Sequence, residues 1–493
     1  MMLITAVKTV KKRKRRGKAA SWKLKRGKGS TARRKKKLPG TPAKGKKRRR
    51  KRSLHARGRK GAGKRGRMRL RKRVKKRRRR IKHRIKHRIK HRIKHRIKRR
   101  IEPAPLQIAV QEEHPPAEAP AQTTEEVPQL LPGAALIGYA RGEFGLGESL
   151  RLAAGAMETA GIPFGIIDYP LSGPSRDTSW VHKESTAMYR TNIFHVNADS
   201  MGPVWQFVSG RTKGRYNIGY WHWELPDLRE ADLQAFDYVD EVWTPTAFVQ
   251  ESVKKRSPVP VMRIPHGIHV PVQPEWGRAA FALPADRFLF MSMFDVHSST
   301  RRKNPHAVIS AFKEAFGPDD RNVGLVLKVK GRDSGIDDLH TLYPLLEGYR
   351  NIYLIERVLS RLEVNSLLNS VDCFVSLHRS EGFGLGLAEA MYLGKPVIGT
   401  NWSGNTDFMR PDNACPVDYR LVPVGESWGP YDAGQIWAEP DTRHAAAYMR
   451  ELVSHPGYRA RIAANGQQTI RSEFSPRSVG EQIRARLSEL GLL

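Results

Sequence analysis

The sequence predicts an α/β fold of two doubly wound domains, similar in size and facing a cleft, preceded by a disordered basic arm. Three observations predict it. From residue 133 onward, short apolar runs alternate with helical patterns, the signature of parallel α/β folding. That alternation breaks once, over VPVQPEWGRAAFALPAD near 270–285, which divides it into two sets. Charge is also segregated. Of the 90 Lys and Arg, 52 lie in residues 1–100 with no Asp or Glu among them; the other 38 stand against all 47 acidic residues, a net of −9 for 101–493.

The arm (1–101) is Lys, Arg, Gly, Ala and Ser with few large apolar groups, too little to offset the entropy of ordering, so disorder is expected. Within it, IKHRIKHRIKHRIKHRIKRR (81–100) repeats Ile81, Ile85, Ile89, Ile93 and Ile97 every four residues. Helix is expected there only against a polyanion, because the charges repel one another in water. The arm therefore predicts salt-dependent, non-specific binding to nucleic acid or an anionic membrane surface. His83, His87, His91 and His95 have helical spacing, but the positive charge around them opposes a cation. Residues 102–132, rich in Pro, Ala and Glu, read as a semi-stiff linker.

The N-terminal domain is expected over 133–275. AALIGYA (134–140) reads as a strand, and EFGLGESLRLAAGAMETAG (143–161) as a glycine turn entering a helix. PFGIIDY, NIFHV, YNIGYWHW, EVWTP and VPVMRIP read as further strands. The C-terminal domain, 276–493, brings FLFMSMFD, VGLVLKVKG, NIYLIE, CFVSLH and PVIGT as strands, with helical patterns such as NPHAVISAFKEAF between them. Ligands of such sheets bind at the carboxyl ends of the strands. Cys373 and Cys415 are too few for a disulfide framework, and a reducing compartment is expected. No apolar run approaches the roughly 20 residues of a membrane span, and MMLITAV has its charges on the wrong side for a secretory signal. A cytoplasmic location follows, with peripheral attachment at the inner membrane surface through the arm.

The most informative stretch is HRSEGFGLGLAEAM (378–391). Its glycines bring backbone N–H groups close to a ligand at the start of a helix, an anion site suited to a diphosphate. Glu381 stands at the loop entry. Glu389 lies one helical turn past Leu385, and the apolar helix LGLAEAMYLG gives it nowhere dry to sit without a partner. One carboxylate fits the hydroxyls of a ribose, the other those of a second sugar, and two sugars flanking a diphosphate make a nucleotide sugar. The plainer alternative is a strand–helix turn with two solvated glutamates.

The E-x7-E spacing, with RIPHGI (263–268), RRKNPHAVISAF (301–312), SEGFGLGLAEAMYLGKPVIGTNWSGNTDF (380–408) and the run from WAEPD onward, resembles retaining GT-B glycosyltransferases, specifically glycosyltransferase family 4. The resemblance covers about 260–493 well and 133–260 loosely. It implies two Rossmann-like domains with a nucleotide diphosphate sugar held mainly by the second. Glu389 would hold the ribose, and Glu381 the transferred sugar as a catalytic residue. Gly382, Phe383, Gly384, Leu385, Arg302 and Lys303 would hold the diphosphate. The family's arginine closing the first C-terminal strand is Phe294-Asp295 here, which leaves Arg301 or Arg302 as its substitute. By period, one of Lys328 and Lys330 is expected to face the cleft or a neighbouring helix. In the N-terminal half, the loop with Gly145 and Gly147 would touch donor and acceptor. His222, flanked by Trp221 and Trp223, would be catalytic or stack on sugar, and Glu224 and His266 would meet the acceptor. That acceptor would be a glycan or a lipid-linked glycan. No metal or other cofactor is expected, because protein cations replace a divalent ion. Alternatives are a nucleotide-sugar epimerase on the same fold, or a polyanion-binding protein whose body only senses a sugar nucleotide.

Overall fold

The computed structural model describes residues 130–170, 177–331 and 339–493. The basic arm, its repeats and the linker up to residue 129 lie outside them. The first sheet is built from β1 (Leu131–Gly138), β2 (Phe164–Asp168), β3 (Tyr189–His195), β4 (Tyr216–Tyr220), β5 (Glu241–Thr244) and β6 (Val261–Arg263), in the order β2-β1-β3-β4-β5-β6. The second contains β7 (Phe288–Asp295), β8 (Val323–Lys330), β9 (Ile352–Ile355), β10 (Cys373–Ser376), β11 (Val397–Thr400) and β12 (Cys415–Val417), in the order β12-β11-β10-β7-β8-β9. Every pairing within these two sheets is parallel. A hairpin of β13 (Tyr419–Pro423) and β14 (Ile436–Pro440) stands apart. The helices are α1 (Gly145–Thr159), α2 (Met201–Phe207), α3 (Ala247–Lys254), α4 (Thr300–Lys303), α5 (Pro305–Ala315), α6 (Tyr343–Leu346), α7 (Arg361–Ser370), α8 (Leu385–Tyr392), α9 (Thr442–Ser454), α10 (Pro456–Glu473) and α11 (Pro476–Glu489). This is the doubly wound α/β arrangement expected.

Strands β7, β8 and β10 of the second sheet each serve two cores, because successive side chains leave on opposite faces. Met291, Val326 and Phe374 join one apolar cluster with Leu387 of α8, whereas Phe290, Leu325 and Val375 join another with Phe312 of α5. The continuous apolar runs that marked these strands reflect burial on both faces.

Three boundaries differ from expectation. β1 begins at Leu131, inside the expected linker, and Leu131 N–H donates to the Met188 carbonyl (2.8 Å). The last helix leaves the C-terminal domain altogether. Val479, Ile483 and Leu487 of α11 bury against Ala154, Ala156 and Met157 of α1. A Cβ on Gly480 would sit 2.2 Å from the Ala156 carbonyl oxygen, so only glycine allows this approach. Arg486 then reaches Glu241, fully buried in β5, at 2.5 and 3.1 Å. Finally, Tyr431 and Trp437 of the hairpin region belong to the apolar cluster of Trp221 and Trp223, so a segment from the C-terminal half packs on the N-terminal sheet. No helix among the described residues is long and apolar enough to cross a membrane.

Candidate active site

In the second sheet, β10 has β7 on one side and β11 on the other, so the chain direction of connection reverses between β10 and β7. A crevice opens outside the strand ends at such a point. The loop from Leu377 to Gly384 fills its edge. Gly384 has φ of 92°, a left-handed conformation suited to glycine, and N-caps α8. The loop is held from several sides. Glu381 N–H donates to Ser403 Oγ (2.8 Å), Gly404 N–H to the Glu381 carbonyl (2.9 Å), and Thr246 Oγ1 of the N-terminal domain to the Gly382 carbonyl (2.8 Å). His378 Nε2 lies 2.9 Å from Asn405 Oδ1. The backbone facing the cleft is therefore fixed before any ligand arrives.

Glu381 is 8 % exposed. Lys303 Nζ donates to its Oε1 (2.5 Å), and Arg302 Nη1 lies 3.3 Å from Oε2. Burial alone would raise its pKa, but Lys303, Arg302 and His378 outweigh burial and bring it to about 2. It is a carboxylate at any physiological pH. Arg302, also buried, ties three segments together: Nη1 donates to the Ser380 carbonyl (2.9 Å), and Nη2 lies 3.6 Å from Glu224 Oε1 of the N-terminal domain. Burial opposes its charge, but Tyr431, Glu224 and Glu381 hold the guanidinium firmly protonated. Tyr431 Oη donates to Glu224 Oε2 (3.3 Å).

Glu389 is 2 % exposed and stands one layer behind the cleft wall, not in it as expected. The reason is Arg361, at the first position of α7, whose Nη2 binds Glu389 Oε1 and whose guanidinium lines the cleft. Burial pushes the Glu389 pKa up, and Arg361 opposes the rise. Arg361 Nε also lies 3.4 Å from Glu148 Oε1 of α1, so this pair links the two domains.

Of the two candidate substitutes, Arg302 enters the cleft. Arg301 is turned away, over the Trp428 ring (4.9 Å) and beside Glu426 (3.1 Å). Both Lys328 and Lys330 line the cleft, because residues two apart on a strand share a face. Gly145 lines it too, whereas Gly147 serves packing: a Cβ there would sit 2.1 Å from the Gly142 carbonyl oxygen.

On the N-terminal side, His222 Nε2 and His266 Nε2 are 3.1 Å apart, and His266 Nδ1 is 3.3 Å from Tyr220 Oη. Tyr220 Oη donates to the Ile264 carbonyl (2.7 Å), so it accepts from His266 Nδ1–H. His266 Nε2 is then the acceptor and His222 Nε2–H the donor. That assignment leaves His222 Nδ1 as a bare acceptor without a partner among the described residues. Burial lowers the His222 pKa to about 4; burial with His222 nearby takes His195 to about 3, and His266 falls well below its ordinary value. All three are neutral at pH 7. Trp221 and Trp223 border the cleft but are core side chains, 1 % and 5 % exposed.

The whole cleft has a volume of about 800 Å³ and draws its walls from both domains. Its C-terminal wall carries Arg302, Lys303, Lys328, Lys330 and Arg361. Sequence reasoning missed Arg361, Tyr431 and Thr246. A signal existed for the first: Ser360-Arg-Leu-Glu363 is a capping box, formed in the structure, and it places Arg361 at a helix start beside a strand end. Nothing local marked the other two.

Residues 291–469 match the model of the family Glycosyl transferases group 1. Over 125 residues the chain is 25% identical to alpha-1,3/1,6-mannosyltransferase ALG2 of Homo sapiens, 25% of each chain. Over 183 residues it is 26% identical to the capsular polysaccharide biosynthesis glycosyltransferase CapM of Staphylococcus aureus, 37% of this chain and 42% of that one. The chain thus spans a quarter and about two-fifths of these curated relatives. Among solved structures, HepE of Anabaena in complex with UDP and glucose superposes with a TM-score of 0.52, over 73% of this chain and 100% of that one. Sucrose-phosphate synthase from Thermosynechococcus elongatus superposes with a TM-score of 0.53, over 73% and 99%. Both are 15% identical to this chain. The fold is that of the GT-B glycosyltransferases.

Proposed function

We propose that the protein is a retaining glycosyltransferase that moves a sugar from a nucleoside diphosphate sugar to an acceptor hydroxyl. One observation carries the reading: a permanently ionised, nearly buried Glu381 is held by Lys303 and Arg302 at the mouth of a fixed glycine loop that starts a helix. Neither a plain turn nor a solvated carboxylate needs two cations and a rigid backbone in a cleft of this size.

The Gly382–Leu385 backbone, with Lys303 and Arg302, would receive the diphosphate, where fixed donors stabilise charge developing on the leaving oxygen. Glu381 would accept hydroxyls of the transferred sugar. Arg302 would then be shared between carboxylate and phosphate, so no divalent ion is required. Arg361, which covers Glu389 from the cleft, would turn aside so that the ribose hydroxyls reach the Glu389 carboxylate. The bond from the anomeric carbon to the diphosphate oxygen breaks on the face where the acceptor oxygen attacks, and the acceptor proton passes to the departing diphosphate. His222, neutral and with Nδ1 unused, would accept a hydrogen bond from a sugar hydroxyl. The acceptor would be a glycan or lipid-linked glycan entering beside Glu224 and His266.

Incubation with labelled nucleotide sugars and a panel of acceptors tests this. Acceptor-dependent transfer with the anomeric configuration kept is expected; acceptor-independent isomerisation of the donor, or no turnover of any donor, would replace this reading.

A further inference from the structure

The diphosphate site described above lies outside the ends of β10 and β7. Neighbouring strands are about 4.8 Å apart, and the sheet continues through β8 to β9. A donor laid along the strand ends therefore brings its base to the ends of β8 and β9. The wall there is an apolar slot of Met293, Leu359, Val364 and Phe374. Two polar side chains interrupt it, Lys328 on β8 and Arg361 at the start of α7.

Lys328 is unusual. It is 5 % exposed, yet its Nζ donates only to the neighbouring Val329 carbonyl (2.8 Å) and forms no ion pair among the described residues. An ammonium has three donors, so two remain, and burying them unmet is costly. Arg361 Nε is buried without a hydrogen-bond partner among the described residues, with Glu148 Oε1 3.4 Å away as its ion-pair partner. Lys328 thus keeps two ammonium donors without an acceptor among the described residues, while Arg361 is held in place by Glu389 and Glu148. We propose that Lys328 reads the edge of the donor base away from its glycosidic bond, and that with Arg361 it selects a base carrying a carbonyl oxygen there, uracil or guanine, over one carrying an amino group, cytosine or adenine. The carbonyl meets a donor; the amino group meets donor against donor and leaves the ammonium unpaired. This inference rests on the nucleotide-sugar reading of the cleft.

Titration calorimetry of the full chain with UDP, CDP, GDP and ADP tests it at pH 7. Burial and Lys330 bring the Lys328 pKa down to about 8, so at that pH the side chain is an ammonium. UDP should bind at least about tenfold tighter than CDP, or GDP than ADP, the penalty of one unmet buried donor. The pair with the wider gap identifies the base. Lys328→Met should bring that ratio close to one by weakening the carbonyl base alone, which general loss of structure would not do. A wild-type chain that binds the amino base equally well, or a ratio that persists in Lys328→Met, overturns the inference. Lys303→Met, in the proposed diphosphate site and away from Lys328 and Arg361, should weaken all four diphosphates alike and keep the ratio. If it weakens none, the diphosphate assignment falls while Lys328 stands. If no diphosphate binds the wild type, the proposed function and this inference fall together.

Discussion

Glu381 and Glu389 carry the same functional group at nearly the same burial and have opposite titration behaviour. Glu381 has two cations within 3.3 Å, and its pKa falls to about 2; Glu389 has one guanidinium, and burial still leaves its pKa raised. The number of partners decides the sign. Glu381→Gln should therefore remove a charge that the transition state uses, lowering kcat by about 100-fold or more with a much smaller change in donor affinity; steady-state rates with separately measured donor Kd check the split. The buried histidines make a different prediction. His195 is 1 % exposed, and its folded pKa of about 3 lies below its unfolded value near 6.5. A depressed histidine pKa contributes stability that is full above pH 6.5 and lost as pH falls toward the folded value. Between pH 6.5 and 5, before carboxylates titrate, this residue alone should cost about 1.4 kcal/mol per pH unit. Urea midpoints at pH 7.5 and 5 should show the loss, and His195→Gln should reduce it by that share while the part due to His222, His266 and His378 remains.

At the scale of elements, the strands of both sheets were legible because burial on two faces leaves continuous apolar runs: FLFMSMFD, VGLVLKVKG and CFVSLH each lie on the strand they predicted. The glycine loop was legible for the same reason that it functions, since backbone approach and a left-handed cap need glycine. What escaped was contact across long stretches of sequence. The hairpin β13–β14 has mostly exposed first-strand residues, and its role depends on Tyr431 and Trp437 reaching the other domain. Arg361 and Glu389 are 28 residues apart, so no local signal tells that an arginine covers Glu389 from the cleft. The docking of α11 was invisible too, since a short helix with three apolar anchors says nothing of where it packs. Arg486→Ala should test that docking. It strands a fully buried Glu241 carboxylate, and breaking such a pair costs about 3–5 kcal/mol, measurable as a lower urea midpoint of the first sheet's unfolding.

For the whole molecule, the separation of a basic arm from a body of net charge −9 predicts separable behaviours. Deletion of residues 1–129 should leave turnover intact, because every cleft residue described above lies beyond it. The same deletion should abolish retention on DNA and anionic liposomes, and in the full chain that retention should fall steeply with salt. Binding by the truncated body would overturn this division. One feature of the fold also orders events in time. The first sheet is complete at Arg263, yet its packing partner α11 begins only at Pro476. At about 5–20 residues per second, a ribosome needs roughly 10–40 s to cover that interval. Meanwhile Ala154, Met157 and the Glu241 carboxylate lack their cover, and the second sheet has already emerged. The domain made first therefore finishes folding last, and the nascent chain presents an apolar seam to chaperones for the whole of that delay.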